Sequence, residues 1–320
     1  MPPEPSTRHP TPDTRPPAPV VAVCADPASD VNLLKAAARI AVDVNLPFLE
    51  KPVSGGKARS SEYDMLLVVT SARLELRVLR GDPQIRGGLP VTCNLDKLDT
   101  TSPAGRSLKQ PLFKAVGLKS RKDLPLTILD ATAGWGEDAW LLAAAGCRIL
   151  AVERNRILAT LLKDGIFRGA TSGPDPAGLL ARLTVISADS RPLLRRIARR
   201  VQESHHPLEA RPEDLPGVRE FFEPEVVYLD PMFPGHAGRK TAEKKPLRVL
   251  RALVGDDADQ IELFQWAMQV ATRRVVVKRP AKAPPILGPD HKPATAFAGK
   301  GFRFDVYLTK VHSSKLKVPS

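Results

Sequence analysis

Val226-Val227-Tyr228-Leu229-Asp230-Pro231-Met232-Phe233-Pro234 is an apolar run that breaks on an acid, a proline and an aromatic. Apolar residues in succession, without polar alternation, describe a strand buried on both faces, as in a parallel sheet. Such a strand delivers the residues at its end to a site. A carboxylate and a proline carbonyl there can both accept hydrogen bonds from a flat exocyclic amine, and Phe233 can lie on the ring that carries it.

Outward from this stretch, the chain from Ser107 onward alternates short apolar runs with helical periodicity. Strands are expected at 126–129, 148–152, 183–186, 226–229 and 274–277, with helices at 138–145, 156–165, 192–202 and 259–271. That order predicts a parallel sheet covered on both faces. The segments 295–297 and 303–308, joined through Gly299-Lys300-Gly301, read as a terminal hairpin. A doubly wound sheet ending in a hairpin is the Rossmann-like methyltransferase arrangement, expected over residues 107–320. Residues 203–224 are polar and Pro-rich and read as an excursion before the fourth strand.

Ahead of it, residues 1–19 are dominated by Pro and are expected to be a disordered tail. Residues 20–106 are expected to form a small α+β domain and a linker. A strand is predicted at 20–24, a helix at 30–44, and a hairpin from 63–69 and 74–79. Residues 99–106 have the composition of a connection.

The formal net charge of +13 over 320 residues favours a polyanionic partner. Cys24, Cys93 and Cys147 have no paired spacing, which argues against a disulfide framework or a zinc site and fits a reducing cytoplasm. No apolar stretch approaches the roughly 20 residues a membrane helix needs. The N-terminus lacks the pattern of a signal peptide. A soluble, cytoplasmic protein is the expectation.

Asp130-Ala131-Thr132-Ala133-Gly134-Trp135-Gly136 offers a tight turn after the first strand of the sheet, where Gly134 and Gly136 let backbone approach a ligand. Glu137 and Asp138 open the next helix. They serve either the positive end of its dipole or a ligand. Glu153 ends the next strand about 17 residues past Gly136, near the ~20-residue offset at which an acid holds ribose hydroxyls. Asp189, after the third strand, either caps a helix or recognises an adenine amine. A dinucleotide site is disfavoured: Ala139 stands where the third Gly would fall, and two acids at a helix start suit a pyrophosphate poorly. A sulfonium cofactor carries positive charge and no phosphate, which points to S-adenosylmethionine.

Asp230-Pro231-Met232-Phe233 is a variant of the amine-methylating motif in which Asp or Asn precedes Pro and an aromatic. The amine of a base is a poor nucleophile because its lone pair is delocalised. Hydrogen bonds to Asp230 and the Pro231 carbonyl favour a pyramidal nitrogen, and alignment does much of the rest. Asp230, Pro231 and Phe233 are therefore the catalytic candidates. Two basic groups follow, Arg239, Lys240, Lys244, Lys245, Arg248 and Arg251, then Lys278 and Arg279. Either they are solvated faces, or they track phosphates on both sides of a base pocket. A base must leave its stack to react, so flexible RNA is the natural substrate. The histidines have no partner spacing, and no metal is expected.

At these residues the chain resembles the RsmJ family, whose members methylate the exocyclic N2 of a guanine in small-subunit (16S) ribosomal RNA with S-adenosylmethionine. The matching stretches include Asp130 to Ala139, Gly146-Cys147-Arg148, Glu153-Arg154-Asn155, all of Val226 to Pro234, Arg274 to Pro280 and Arg303-Phe304-Asp305. The resemblance implies cofactor contacts at Glu137, Asp138, Glu153, Arg154, Asp189, Ser190 and Asp230, beside the turn residues Asp130, Gly134 and Gly136. It implies a 30S particle or its RNA as partner; a monomer is expected. The family commonly has a basic residue where Glu137 stands and a small hydroxylic one at Asp189. Its Gly-rich segment before Lys114 survives only as Gly105 and Arg106.

The reading is thus a guanine-N2 methyltransferase. An adenine-N6 methyltransferase on DNA or RNA is the alternative, because the acid–Pro–aromatic corner seats either base. A non-catalytic RNA-binding module that kept the fold is a second.

Overall fold

The computed structural model describes residues 18–51, 62–81, 83, 85–203, 223–232, 245–255 and 259–309. Residues 1–17 of the Pro-rich segment, residues 204–222 of the excursion, and Phe233, Arg239, Lys240 and Lys244 lie outside the described residues.

The first unit runs β1 (Val21–Ala25), α1 (Val31–Val44), β2 (Phe48–Leu49), β3 (Met65–Val69) and β4 (Leu74–Val78), and its sheet is ordered β2-β1-β3-β4. β1 lies parallel to β2 and β3, while β3 and β4 form the expected antiparallel hairpin. Helix α1 starts where the Asp30 carboxylate accepts from the backbone N–H of Asn32 (2.8 Å) and Leu33 (3.1 Å), satisfying donors that lack helical partners. It stops at Asn45, which takes a left-handed φ of 58°.

The second unit continues with α2 (Pro111–Val116), β5 (Thr127–Asp130), α3 (Glu137–Ala144), β6 (Arg148–Glu153), α4 (Arg156–Thr171), α5 (Pro176–Arg182) and β7 (Leu183–Ser187). It ends with α6 (Ser190–Glu203), β8 (Val226–Leu229), α7 (Lys245–Val254), α8 (Gln260–Val270), β9 (Arg274–Pro280), β10 (Thr295–Ala298) and β11 (Phe302–Leu308). The seven-stranded sheet is ordered β10-β11-β9-β8-β5-β6-β7; β5 to β9 are parallel and β11 runs antiparallel to β9 and β10. The strand order reverses between β5 and β8, so the ends of these two strands face one crevice.

Side chains along each strand alternate between two cores. Val226 and Tyr228 face the layer of α2, α3, α4 and α5, whereas Val227 and Leu229 face α6 and α8. All four are essentially inaccessible, as the unbroken apolar run predicts. Cys24, Cys93 and Cys147 are buried and free. Burial pushes the Cys24 thiol up to about 11 and those of Cys93 and Cys147 to about 12, so they pack as apolar groups.

Four expectations are corrected. Strand β9 does not stop at 277 but runs through Lys278 and Arg279 to Pro280, paired along its length with β11. Helix α4 passes Gly165 and reaches Thr171. The basic run beginning at Lys245 is helix α7, which buries Val249 and Leu250. Helices α2 and α5 appear where none was expected.

Gly165 does not terminate α4 because it is a contact point. A Cβ there would lie 2.5 Å from Cys93 Sγ and 2.9 Å from the Cys93 carbonyl oxygen. Gly165→Ala gains at most about 1 kcal/mol of helix propensity. Overpacking against backbone costs roughly 1–3 kcal/mol. The variant is therefore expected to melt earlier; an unchanged or raised melting temperature would contradict the packing account. The same helix joins the two units: Ile157 and Leu161 of α4, with Val249 of α7, fill the core of the small sheet.

Candidate active site

A cavity of about 600 Å³ opens at the carboxyl ends of β5, β6, β7, β8 and β9, under helix α7. Its floor is the turn after β5. The Asp130 carboxyl is 2% exposed and accepts from the Thr132 N–H at 3.1 Å. Burial, with Asp138, Asp230 and Glu153 close by, raises it well above the usual carboxylate range. Gly134 and Gly136 take left-handed φ values of 55° and 70°. They differ in what surrounds them. A Cβ on Gly136 would meet Leu162 Cδ1 at 2.4 Å, whereas one on Gly134 would find nothing nearer than 3.9 Å. The left-handed backbone favours glycine at both positions; Gly136 is in addition crowded by Leu162 of α4, whereas Gly134 leaves open space beside the backbone.

Glu153 holds this turn in place. One carboxylate oxygen accepts the Gly134 N–H (2.9 Å) and the other the Asn155 N–H (2.7 Å). Beyond it, Ser190 donates to the Ala131 carbonyl at 2.7 Å. Asp189 is gripped by Arg191, with the backbone N–H at 2.9 Å and Nη2 at 2.6 Å, and the guanidinium holds its carboxyl below the usual range. Arg154 and Arg191 both reach Asp259 ahead of α8, at 3.3 and 3.1 Å. Pro246, Leu247, Leu250 and Val254 of α7 supply an apolar roof, and the Trp135 indole N–H donates to the Pro246 carbonyl at 3.3 Å.

At the β8 end, the Asp230 N–H donates to Thr132 Oγ1 at 2.6 Å, which ties the two loops across the reversal point of the sheet. Lys278 lies between two acids, with Nζ 2.8 Å from Asp138 Oδ2 and 3.0 Å from Asp230 Oδ2. The Tyr228 hydroxyl donates to the same Asp138 oxygen. Burial and the adjacent carboxylates raise Tyr228 well above the usual phenol range, so it remains a donor. Burial alone would lower Lys278, but Asp230 and Asp138 outweigh it and hold the ammonium above the usual lysine range.

All ten cofactor candidates, Asp130, Gly134, Gly136, Glu137, Asp138, Glu153, Arg154, Asp189, Ser190 and Asp230, border this one cavity. Met232 lines it as well. Pro231 is described, immediately after Asp230. The expected RNA contacts fare differently. Strand alternation turns Lys278 toward α3 and into the cavity. Arg279 points the other way, is 7% exposed, and donates to the Pro284 carbonyl and to Gln260. Both side chains are engaged within the protein rather than presented outward. Lys245 donates to the carbonyls of Gly87 and Leu89, and burial lowers its ammonium below the usual lysine range. Arg248 is half-buried on the same helix.

Sequence reasoning missed Thr132, Tyr228 and Asp259. Thr132 lay inside the quoted turn, and a hydroxyl between two alanines just ahead of the glycines is a usable signal. The Tyr228–Asp138 contact spans two distant elements and had none.

The residues fit a cationic, phosphate-free cofactor. Acids surround the turn, the open side of Gly134 leaves room for a ligand against backbone, and the helix that follows the turn, α3, opens on Glu137 and Asp138, which suits a phosphate poorly. The family profile described as SAM-dependent methyltransferase matches residues 56–309. The ribosomal RNA small subunit methyltransferase J of Thioalkalivibrio sulfidiphilus is 34% identical over 278 residues, covering 87% of this chain and 94% of that protein. The protein of the same name from Salmonella newport is 38% identical over 252 residues, covering 79% of this chain and 88% of its own length. Among solved structures, a SAM-dependent methyltransferase from Neisseria gonorrhoeae shares the fold with a TM-score of 0.57 at 24% identity, over 92% of this chain and all of that one.

Proposed function

The chain belongs to the ribosomal RNA small subunit methyltransferase J family and is an S-adenosylmethionine-dependent methyltransferase of small-subunit ribosomal RNA; we propose that it methylates the exocyclic N2 amine of a guanine. One observation carries the proposal: the acid-lined glycine turn and the Asp230 corner open into the same cavity. When bound, S-adenosylmethionine supplies an electrophilic methyl group on positively charged sulfur.

In this reading Asp130, Gly134, Gly136, Glu137, Asp138, Glu153, Arg154, Asp189 and Ser190 hold the cofactor. The apolar roof of α7 excludes water from it. Asp230 and the Pro231 carbonyl accept the two N–H bonds of the amine and turn its lone pair inward. As the nitrogen gains carbon it must lose a proton, which the Asp230 carboxylate takes and passes to solvent, an effect typically worth ~10²–10⁴ in rate. Phe233 is assigned the face of the base. Guanine is chosen over adenine through the family, since the corner accepts either amine. In this reading the protein acts in the cytoplasm, as a monomer, on the 30S particle or its RNA. Among the described residues no helix is long and apolar enough to cross a membrane.

Tritiated methyl transfer into free small-subunit RNA, whole small subunits and DNA, followed by digestion to nucleosides, tests the proposal. N2-methylguanosine is the expected product. N6-methyladenosine as sole product would replace guanine with adenine, and no transfer with no cofactor binding would leave only an RNA-binding module.

The phosphate track is assigned to Arg239, Lys240 and Lys244, together with Lys245 and Arg248. Neutralising Arg239, Lys240 and Lys244 together is expected to reduce the slope of log affinity against log salt by about 0.7–0.9 per lost contact. An unchanged slope would move the RNA to another face.

A further inference from the structure

The sequence suggests that Lys278 reaches outward to phosphate, and the fold puts it elsewhere. It stands on the β9 face that looks at α3, opposite Phe304 of β11. Its ammonium joins Asp138 Oδ2 at 2.8 Å to Asp230 Oδ2 at 3.0 Å, and the Phe302 ring centroid lies 5.4 Å away. Asp138 is in turn fixed by the Tyr228 hydroxyl. Three elements, α3, β9 and β8 with the residue that follows it, therefore converge on a single chain of contacts: Tyr228, Asp138, Lys278, Asp230.

The charges around this chain explain why a lysine is needed. Asp130 on β5, Glu137 and Asp138 on α3, Glu153 on β6 and Asp230 after β8 border the cavity, whose lining also holds Arg154, Asp189, Arg191 and Asp259, and from β11 the Phe302 ring lies near Lys278. Like-charged carboxylates at such range cannot all ionise unless a cation lies among them. Lys278 is the cation in contact with the two acids nearest the reacting corner. Asp230 is also the more exposed of these two, its side chain 40% accessible, so nothing but its contacts fixes its direction. A carboxylate has about four lone-pair sites, so an ion pair with Lys278 is compatible with accepting a base amine as well.

We propose that Lys278 is a positioning residue, which keeps Asp230 ionised and turned into the cavity so that its carboxylate accepts the amine of the incoming base. This deepens the function proposed above and rests on it. Lys278 touches neither substrate nor phosphate in this role; it acts through Asp230.

Lys278→Met and Lys278→Arg test it, with the full-length protein and the small-subunit RNA substrate. Lys278→Met is expected to lose about 10²-fold or more in kcat, the scale at which misplacement of a reacting group acts. The KM for RNA should change little, and the salt slope of RNA binding not at all. The acid limb of the kcat profile should move up by roughly 1–3 pH units, the range over which a neighbouring cation shifts a carboxylate. Calorimetric affinity for S-adenosylmethionine should not weaken, because the cofactor is itself a cation. Lys278→Arg keeps the charge in a larger planar fork. It should retain the acid limb of the parent and still lose roughly 10-fold in kcat through imperfect geometry.

A salt slope reduced by about 0.7–0.9 with kcat retained would return Lys278 to phosphate binding. Weakened cofactor binding would reassign it to the cofactor, and a lost kcat with an unmoved acid limb would make it a structural ion pair only. Should Lys278→Met fail to fold, Lys278→Arg decides: parental kcat at every pH overturns the proposal. A wild-type product of N6-methyladenosine would remove guanine while leaving these outcomes for Lys278 untouched.

Discussion

Asp230→Ala is expected to remove methyl transfer, with turnover falling by roughly 10²–10⁴-fold, while RNA affinity changes little. The carboxylate sits at the end of β8, where Thr132 Oγ1 accepts its backbone N–H at 2.6 Å and Lys278 meets Oδ2 at 3.0 Å. The backbone tie to Thr132 survives loss of the side chain; what disappears is the acceptor for the amine, together with one of the two carboxylates that hold Lys278. Asp230→Asn keeps one acceptor oxygen and loses the basicity, so it should fall between the parent and the alanine variant. Single-turnover methylation and filter binding separate the two effects. An alanine variant that turns over at the parental rate would contradict the assignment of Asp230.

Glu153→Ala is expected to weaken S-adenosylmethionine by about 10²-fold and to lower the melting temperature. Its two oxygens receive the N–H groups of Gly134 and Asn155. Leaving a buried donor without a partner costs about 1–3 kcal/mol each, and the glycine turn would relax to find one. Glu153→Gln retains one acceptor and should show the smaller part of both effects. Calorimetry measures the first quantity and thermal melting the second. Parental affinity in Glu153→Ala would show that the turn keeps its shape without the carboxylate.

Much of this architecture is visible in the residues before any coordinates. Continuous apolar runs such as Val226–Leu229 read as doubly buried strands, and the acids at their ends, Asp130, Glu153 and Asp230, converge because parallel strands all open on one edge. The failures have physical causes. Gly165 looked like a helix end because glycine has low helix propensity, yet it is there for the close approach of Cys93. Helices α2 and α5 were overlooked for their length, although each begins with proline at its first position, Pro111 and Pro176. Lys278 and Arg279 were read as leaving the sheet because charge seldom continues a buried strand. Their burial rests on partners from α3, α8 and the 281–285 segment, which no local pattern reveals.

Helix α7 has two masters. Its inner side lies over the cofactor turn, while Val249 sinks into the core of the small sheet and Lys245 holds the carbonyls of Gly87 and Leu89. Strands β1 to β4 and the segment at Gly87–Leu89 are thus no detachable appendage. They are the scaffold from which the ceiling of the reaction chamber hangs, and a chain trimmed to its larger sheet would leave that chamber open to the sky.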